Sequence, residues 1–243
     1  MKKIKILLCL LLALIVLCGA AFGVYTADYY RMDETAAALC ASADGPSRLT
    51  TDGGRYLVFD ADGAETGLIF YPGGKVEYGA YAPLMAMLQS RGVLCVLCEM
   101  PFHLAVFRPD AAAGVAGVFP EVSRWYIGGH SLGGVMAAEY AAKHPGDFEG
   151  LLLLAAYSTA DLSGSGLKAL SVRGSDDGVL NRDAYEDNRV NLPADARELV
   201  IEGGCHAFFG NYGEQKGDGV PAVSRVTQLT LTADAAAEWM LQR

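Results

Sequence analysis

The sequence predicts a doubly wound α/β domain with a mostly parallel sheet, preceded by a hydrophobic N-terminal helix. Three observations carry that prediction. Short apolar runs alternate along the chain with stretches of helical periodicity, the pattern of strands joined by crossover helices. The runs are apolar at consecutive positions, as in GLIFY (67–71), VLCVLCE (93–99) and LLLLAA (151–156), which marks strands covered on both faces. Finally, 52% of the 243 residues are hydrophobic and only 19% are charged, with a mean hydropathy of +0.23, far too apolar for a disordered chain.

Much of the apolar excess lies in one block. Residues 6–27 carry no charge and follow Lys2, Lys3 and Lys5. The stretch is long enough to cross the hydrocarbon of a bilayer, for which about 20 apolar residues are needed. Tyr25, Tyr29 and Tyr30 fall where an interfacial aromatic belt would lie. Residues 1–27 therefore read as a signal-anchor, with the basic N-terminus in the cytoplasm and the remaining chain outside. The competing reading is a cleavable signal peptide ending at a small-x-small exit near Cys18-Gly19-Ala20 or Ala21-Phe22-Gly23, which would release a secreted protein.

Residues 28–47 read as a spacer helix (DYYRMDETAAALCAS) broken by DGPS, and residues 48–243 as the folded domain. RYLVFDA (55–61) is a peripheral strand between Gly and Asp-Gly turns. GLIFY is followed by the turn PGGK and a helical stretch, YAPLMAMLQSRG, whose Leu84, Met87 and Leu88 share a face. The strand at 93–99 leads to an alanine-rich stretch, 110–119, expected to supply a crossover helix. A brief strand (124–127), a helix (132–144), the LLLLAA strand, a strand at 167–173, a helix at 183–191, a strand at 198–201 and a last helix at 232–241 complete the domain.

The folded part is acidic. Residues 28–243 hold 16 basic and 28 acidic side chains, a formal charge of −12, which excludes nucleic acid as a partner and disfavours anionic lipid. Cys95 and Cys98 have redox spacing but sit three apart on a strand, where they point to opposite faces, so they read as small buried hydrophobes. No H-E-x-x-H, no zinc-spaced Cys/His pairs, no G-x-x-x-x-G-K-[ST] and no G-x-G-x-x-G occur, so neither a metal nor a cofactor is expected.

The chemistry concentrates in WYIGGHSLGGVMAAEYAAKH, where a strand runs through Gly129-His130-Ser131-Leu132-Gly133-Gly134 directly into a helix. That is the setting of a nucleophile elbow: Ser131 on a strained turn, small neighbours letting strand and helix approach, and the helix N-terminus aimed at a developing oxyanion. A serine nucleophile needs a base. Of four histidines, His130 is adjacent to Ser131 and misdirected, and His144 lies at the far end of the helix. His206 follows the last strand, in the loop region where sites of open α/β sheets gather, and is the expected base. His103, in EMPFH, is expected to line the substrate pocket. Of the acids after LKALSVRG, Asp177 is preferred over Asp176 as the group that orients the imidazole, with Asp161 an outsider. The second oxyanion N–H is expected from Tyr71-Pro72-Gly73-Gly74-Lys75: Gly74 together with Leu132, and Lys75 beside the substrate.

With GHSLGG, SDDG, GGCH and YPGG in that order, residues 55–243 resemble the α/β-hydrolase superfamily. YPGGKVEYGAYAPL, EMPFHLAVF and GGCHAFFGNYGEQKGDG are similar to its compact bacterial group related to dienelactone hydrolases and small carboxylesterases. The resemblance implies a Ser131–Asp177–His206 triad that cleaves an ester or similar acyl bond of a small molecule through an acyl-enzyme. It departs at Pro72, where many members carry histidine. Only 46 positions separate Ser131 from Asp177, too few for a large helical cap, so an open, shallow site is expected. An acyltransferase or peptidase would use the same acyl-enzyme, and a surface binding protein would keep the fold without turnover.

Overall fold

A computed structural model describes residues 2–242. The chain opens with a 26-residue helix, α1 (Lys2–Ala27), whose described apolar side chains are exposed. It is long and apolar enough to cross a membrane, and a signal sequence would have the same character. A short helix, α2 (Glu34–Ala41), follows, with the Asp33 side chain accepting the Ala36 N–H at its start.

The sheet has eight strands: β1 (Ser47–Thr51), β2 (Gly54–Phe59), β3 (Thr66–Tyr71), β4 (Leu94–Cys98), β5 (Arg124–His130), β6 (Gly150–Leu154), β7 (Lys168–Gly174) and β8 (Arg197–Ile201). They lie in the order β1-β2-β4-β3-β5-β6-β7-β8. β1 and β2 form an antiparallel hairpin, β2 pairs antiparallel with β4, and every other pairing is parallel. Helices α3 (Ala82–Gln89) and α6 (Arg225–Leu241) cover one face and α4 (Leu132–Lys143) the other, while the short α5 (Arg182–Asp187) sits between β7 and β8.

Coverage on both faces explains the unbroken apolar strands. Leu68 and Phe70 of β3 face the α3/α6 side and Ile69 and Tyr71 the α4 side; Leu152 and Leu154 of β6 oppose Leu151 and Leu153 in the same way. Cys95 and Cys98 of β4 also divide between the two cores, both as free thiols, and burial pushes the Cys98 thiol up to about 12. Neither works as a redox pair.

The structure differs from the sequence reading in four places. The alanine-rich stretch 110–119 is not an α-helix but a series of turns with one 3-10 turn, Ala116–Val118. Gly114 at φ 74° breaks the helical path, and two tyrosine hydroxyls replace the helical ladder. Tyr56 Oη donates to the Ala111 carbonyl (3.0 Å); Tyr71 Oη donates to that of Pro109 (2.9 Å) and accepts the Ala112 N–H (2.8 Å). β1, a polar edge strand (SRLTT), lies outside the predicted elements. The last helix begins earlier than expected, at Arg225, where the Ser224 side chain accepts the Thr227 N–H. And the residues expected to be a spacer are packed on the domain. Tyr30 exchanges backbone bonds with Lys75 and Glu77, Asp33 pairs with Arg225 (3.2 Å), and Ala36 is fully buried.

Candidate active site

The C-terminal ends of the parallel strands gather the groups on which chemistry would depend. β5 ends at His130 and α4 begins at Leu132, so Ser131 must turn the chain within one residue; it does so at φ 51°, ψ −126°, a strained conformation for a non-glycine residue. Close approach makes the turn possible. A Cβ on Gly129 would lie 2.6 Å from the Gly133 backbone, and one on Gly133 would collide with the carbonyls of Tyr71 and Pro72.

Asp177 and His206 meet from the loops after β7 and β8. His206 Nδ1 donates to Asp177 Oδ2 at 2.8 Å, both side chains being buried. Asp177 Oδ1 accepts the N–H groups of Val179 (2.9 Å) and Leu180 (2.8 Å), which fix its carboxylate plane. With Nδ1 committed as donor, Nε2 carries the lone pair, and among the described residues it has no partner. His206 and Ser131 line one cavity of about 230 Å³, walled by Leu132, Val135, Ala155, Tyr157 and Leu180. Asp176 is exposed, and its side chain accepts the Ser175 hydroxyl; Asp161 bonds Ser163 on another loop.

The glycine loop after β3 lies against the start of α4: a Cβ on Gly74 would be 2.9 Å from Leu132 Cδ2. Its backbone donors are sorted by their partners. Gly73 N donates to Tyr81 Oη (3.0 Å) and Lys75 N to the His103 carbonyl (2.8 Å). Between them, Gly74 N–H has no partner among the described residues, and neither has Leu132 N–H, the first of α4.

The family model for "Alpha/beta hydrolase family" matches residues 67–230, two thirds of the chain. The chain belongs to the alpha/beta hydrolase family. Similar solved structures include Est1E from Butyrivibrio proteoclasticus (TM-score 0.60, 15% identity, 81% of this chain and 98% of that one). Dienelactone hydrolase from Anabaena variabilis matches with TM-score 0.57 and 18% identity over 80% of this chain and 96% of that one. TT1662 from Thermus thermophilus matches with TM-score 0.60 and 15% identity, covering 82% and 98%. At such identities the likeness is one of fold. A search of curated proteins returns no significant match.

Around the site of this alpha/beta hydrolase stand residues that sequence reasoning missed. Asp218 ties the two loops together: Oδ1 accepts the N–H groups of His206 (3.1 Å), Gly178 (3.1 Å) and Gly219 (2.8 Å), and Oδ2 that of Ala207 (2.8 Å). Burial opposes its charge, but these donors outweigh burial and hold the carboxyl below its usual range. The signal in the sequence was an Asp-Gly pair twelve residues after His206. Tyr81 was missed as well. Its hydroxyl accepts Gly73 N–H and donates to His130 Nδ1 (2.8 Å), which joins the glycine loop to the histidine beside Ser131. The His130 ring lies 4.4 Å from that of His206; burial, and then the neighbouring His206, hold its pKa well below the ordinary value, so it stays neutral.

Lys75 and His103 are not placed at the cavity that Ser131 and His206 line. Lys75 Nζ pairs with Asp28 (3.1 Å) and lies 4.5 Å over the Tyr25 ring, and His103 stacks on Tyr29 at 3.8 Å. Both are engaged by the segment that leaves α1. That segment is invisible as a neighbour in the sequence.

Proposed function

We propose that the protein is a serine hydrolase that cleaves carboxylic esters of small or exposed substrates, with Ser131 as nucleophile, His206 as general base and acid, and Asp177 as the orienting carboxylate. One observation carries the reading: His206 is held by Asp177 through Nδ1, with Nε2 unpartnered among the described residues, and shares a cavity with a serine on a strained strand–helix turn. Nε2 removes the Ser131 hydroxyl proton as Oγ attacks the acyl carbonyl. The oxyanion is received by the N–H groups of Gly74 and Leu132, and Asp177 stabilises the imidazolium. Collapse of the intermediate expels the alcohol, which takes the proton from His206 and leaves the acyl group on Ser131. Water, deprotonated by His206, then releases the carboxylate and restores the serine.

The apolar cavity walls suit short acyl groups, and no helical cap stands between β6 and β7 among the described residues. Among the similar folds, Est1E was solved with ferulic acid bound and another is a dienelactone hydrolase, which supports ester substrates. We assign α1 as a signal-anchor that keeps the domain on the outer side of the membrane, with secretion after cleavage as the alternative.

A fluorophosphonate probe is expected to label wild-type protein at Ser131. p-Nitrophenyl butyrate hydrolysis is expected to fall by at least about 10³-fold in Ser131→Ala and in His206→Ala. Wild-type protein inert to both reagents would overturn the reading. Ester products formed with an added alcohol in preference to acid would move it to acyl transfer.

A further inference from the structure

The turns after β4, residues 101–107, expose three large apolar side chains close together: Phe102 is 54% exposed, Val106 46% and Phe107 49%, and the domain's other exposed large hydrophobics, such as Val190, Val220 and Val226, are aliphatic. Phe102 and His103 hold positive φ (55° and 58°), a conformation that bulky residues adopt only when the surrounding structure imposes it. These turns meet the end of α1. The Phe22 ring packs edge-on against Phe102 (5.1 Å) and Phe107 (5.6 Å), and Tyr29 stacks on His103. Phe22 lies five residues before the end of α1, about 7 Å along a helix axis. With α1 across a bilayer, the side chains touching Phe22 stand at the depth where interfacial aromatics settle, about 5–10 Å below the headgroup boundary.

The same turns reach the candidate active site. The His103 carbonyl holds Lys75 N–H, which neighbours Gly74, and the Leu104 and Leu132 side chains both lie beside Gly74. We infer that Phe102, Val106 and Phe107 form a second membrane contact that presses this edge of the domain onto the bilayer, and that the substrate is a short-chain acyl ester whose alcohol portion is dissolved in that bilayer. The formal charge of −12 on residues 28–243 selects a bilayer of net-neutral headgroups over an anionic one. The substrate half of this inference rests on the hydrolase reading of Ser131.

The test uses the full chain reconstituted in phosphatidylcholine vesicles. In Phe107→Trp, the emission that the new tryptophan adds over wild type is expected to be quenched at least about twofold when the acyl chains are brominated, while wild type, whose Trp125 and Trp239 are buried in the domain, is unaffected. In Phe102→Ser/Phe107→Ser, butyrate release from hexadecyl butyrate dissolved in the vesicles is expected to fall about tenfold, with soluble p-nitrophenyl butyrate turnover unchanged. Unquenched emission from the Phe107→Trp protein overturns the contact. So does a blue-shifted, unquenched emission that depends on protein density, which assigns the patch to a second copy of the chain. Equal loss on both esters overturns the bilayer-borne substrate. Wild type inactive on the soluble ester overturns the hydrolase reading and leaves the quenching result to judge the contact by itself.

Discussion

At the scale of single residues, the site depends as much on what holds His206 as on His206 itself. Asp218 accepts backbone N–H groups from both loops that carry the Asp177–His206 pair. An asparagine there keeps one acceptor oxygen but turns an amide NH2 toward one of those donors. Asp218→Asn is expected to lower kcat on p-nitrophenyl butyrate by about 10–100-fold with KM little changed, since displacement of the proposed base, His206, by a fraction of an ångström costs rate before it costs binding. His130 acts on stability. Its pKa is depressed in the folded protein, so the unfolded chain binds the extra proton first, and stability is lost as pH falls below about 6.5. The slope approaches about 1.4 kcal/mol per pH unit for one proton taken up only on unfolding. The Tm of the detergent-solubilised protein is expected to drop between pH 7 and 5, and His130→Asn to drop less over the same range.

At the scale of elements, the sequence was most legible where hydrophobic period and packing agree. β3, β4 and β6 announce themselves because both faces are buried, and the strand–glycine–helix passage around Ser131 because close packing admits only small residues at Gly129 and Gly133. A methyl group at position 129 would meet the Gly133 backbone, which has no side chain to move aside. Gly129→Ala is expected to cost about 1–3 kcal/mol in denaturant unfolding and to abolish fluorophosphonate labelling. Alanine content misled at 110–119, where helix propensity loses to backbone bonds from Tyr56 and Tyr71 in β2 and β3, far away in sequence. Tyr71→Phe leaves the Ala112 N–H and the Pro109 carbonyl without that hydroxyl. A destabilisation of about 1–3 kcal/mol is expected, read as a lower urea midpoint with m unchanged.

At the scale of the whole molecule, one end of the sheet collects the candidate active site, the exit of α1 and the exposed aromatic turns. The packed segment from Tyr25 to Ala36 makes the helix and the domain one unit through Lys75, His103, Glu77 and Arg225. If α1 is an uncleaved anchor, the protein is expected to stay in the membrane pellet after an alkaline carbonate wash. A C-terminal epitope should then be accessible on intact spheroplasts while an N-terminal tag is not. Recovery of a soluble chain that begins near residue 20–27 would show a cleaved signal instead.

Local composition, periodicity and chain order are enough to reach the α/β class, the buried strands, the apolar N-terminal segment and the residues Ser131, Asp177 and His206 as the groups to examine. Packing in three dimensions was needed to bring Asp177 into contact with His206, to bring Asp218 and Tyr81 in as braces of the loops, and to set Lys75 and His103 against the linker from α1. The cause is the same in each case. A hydrogen bond or ring contact between segments tens of residues apart is set by how the sheet stacks its strand ends, and no local pattern records which loops that stacking brings together.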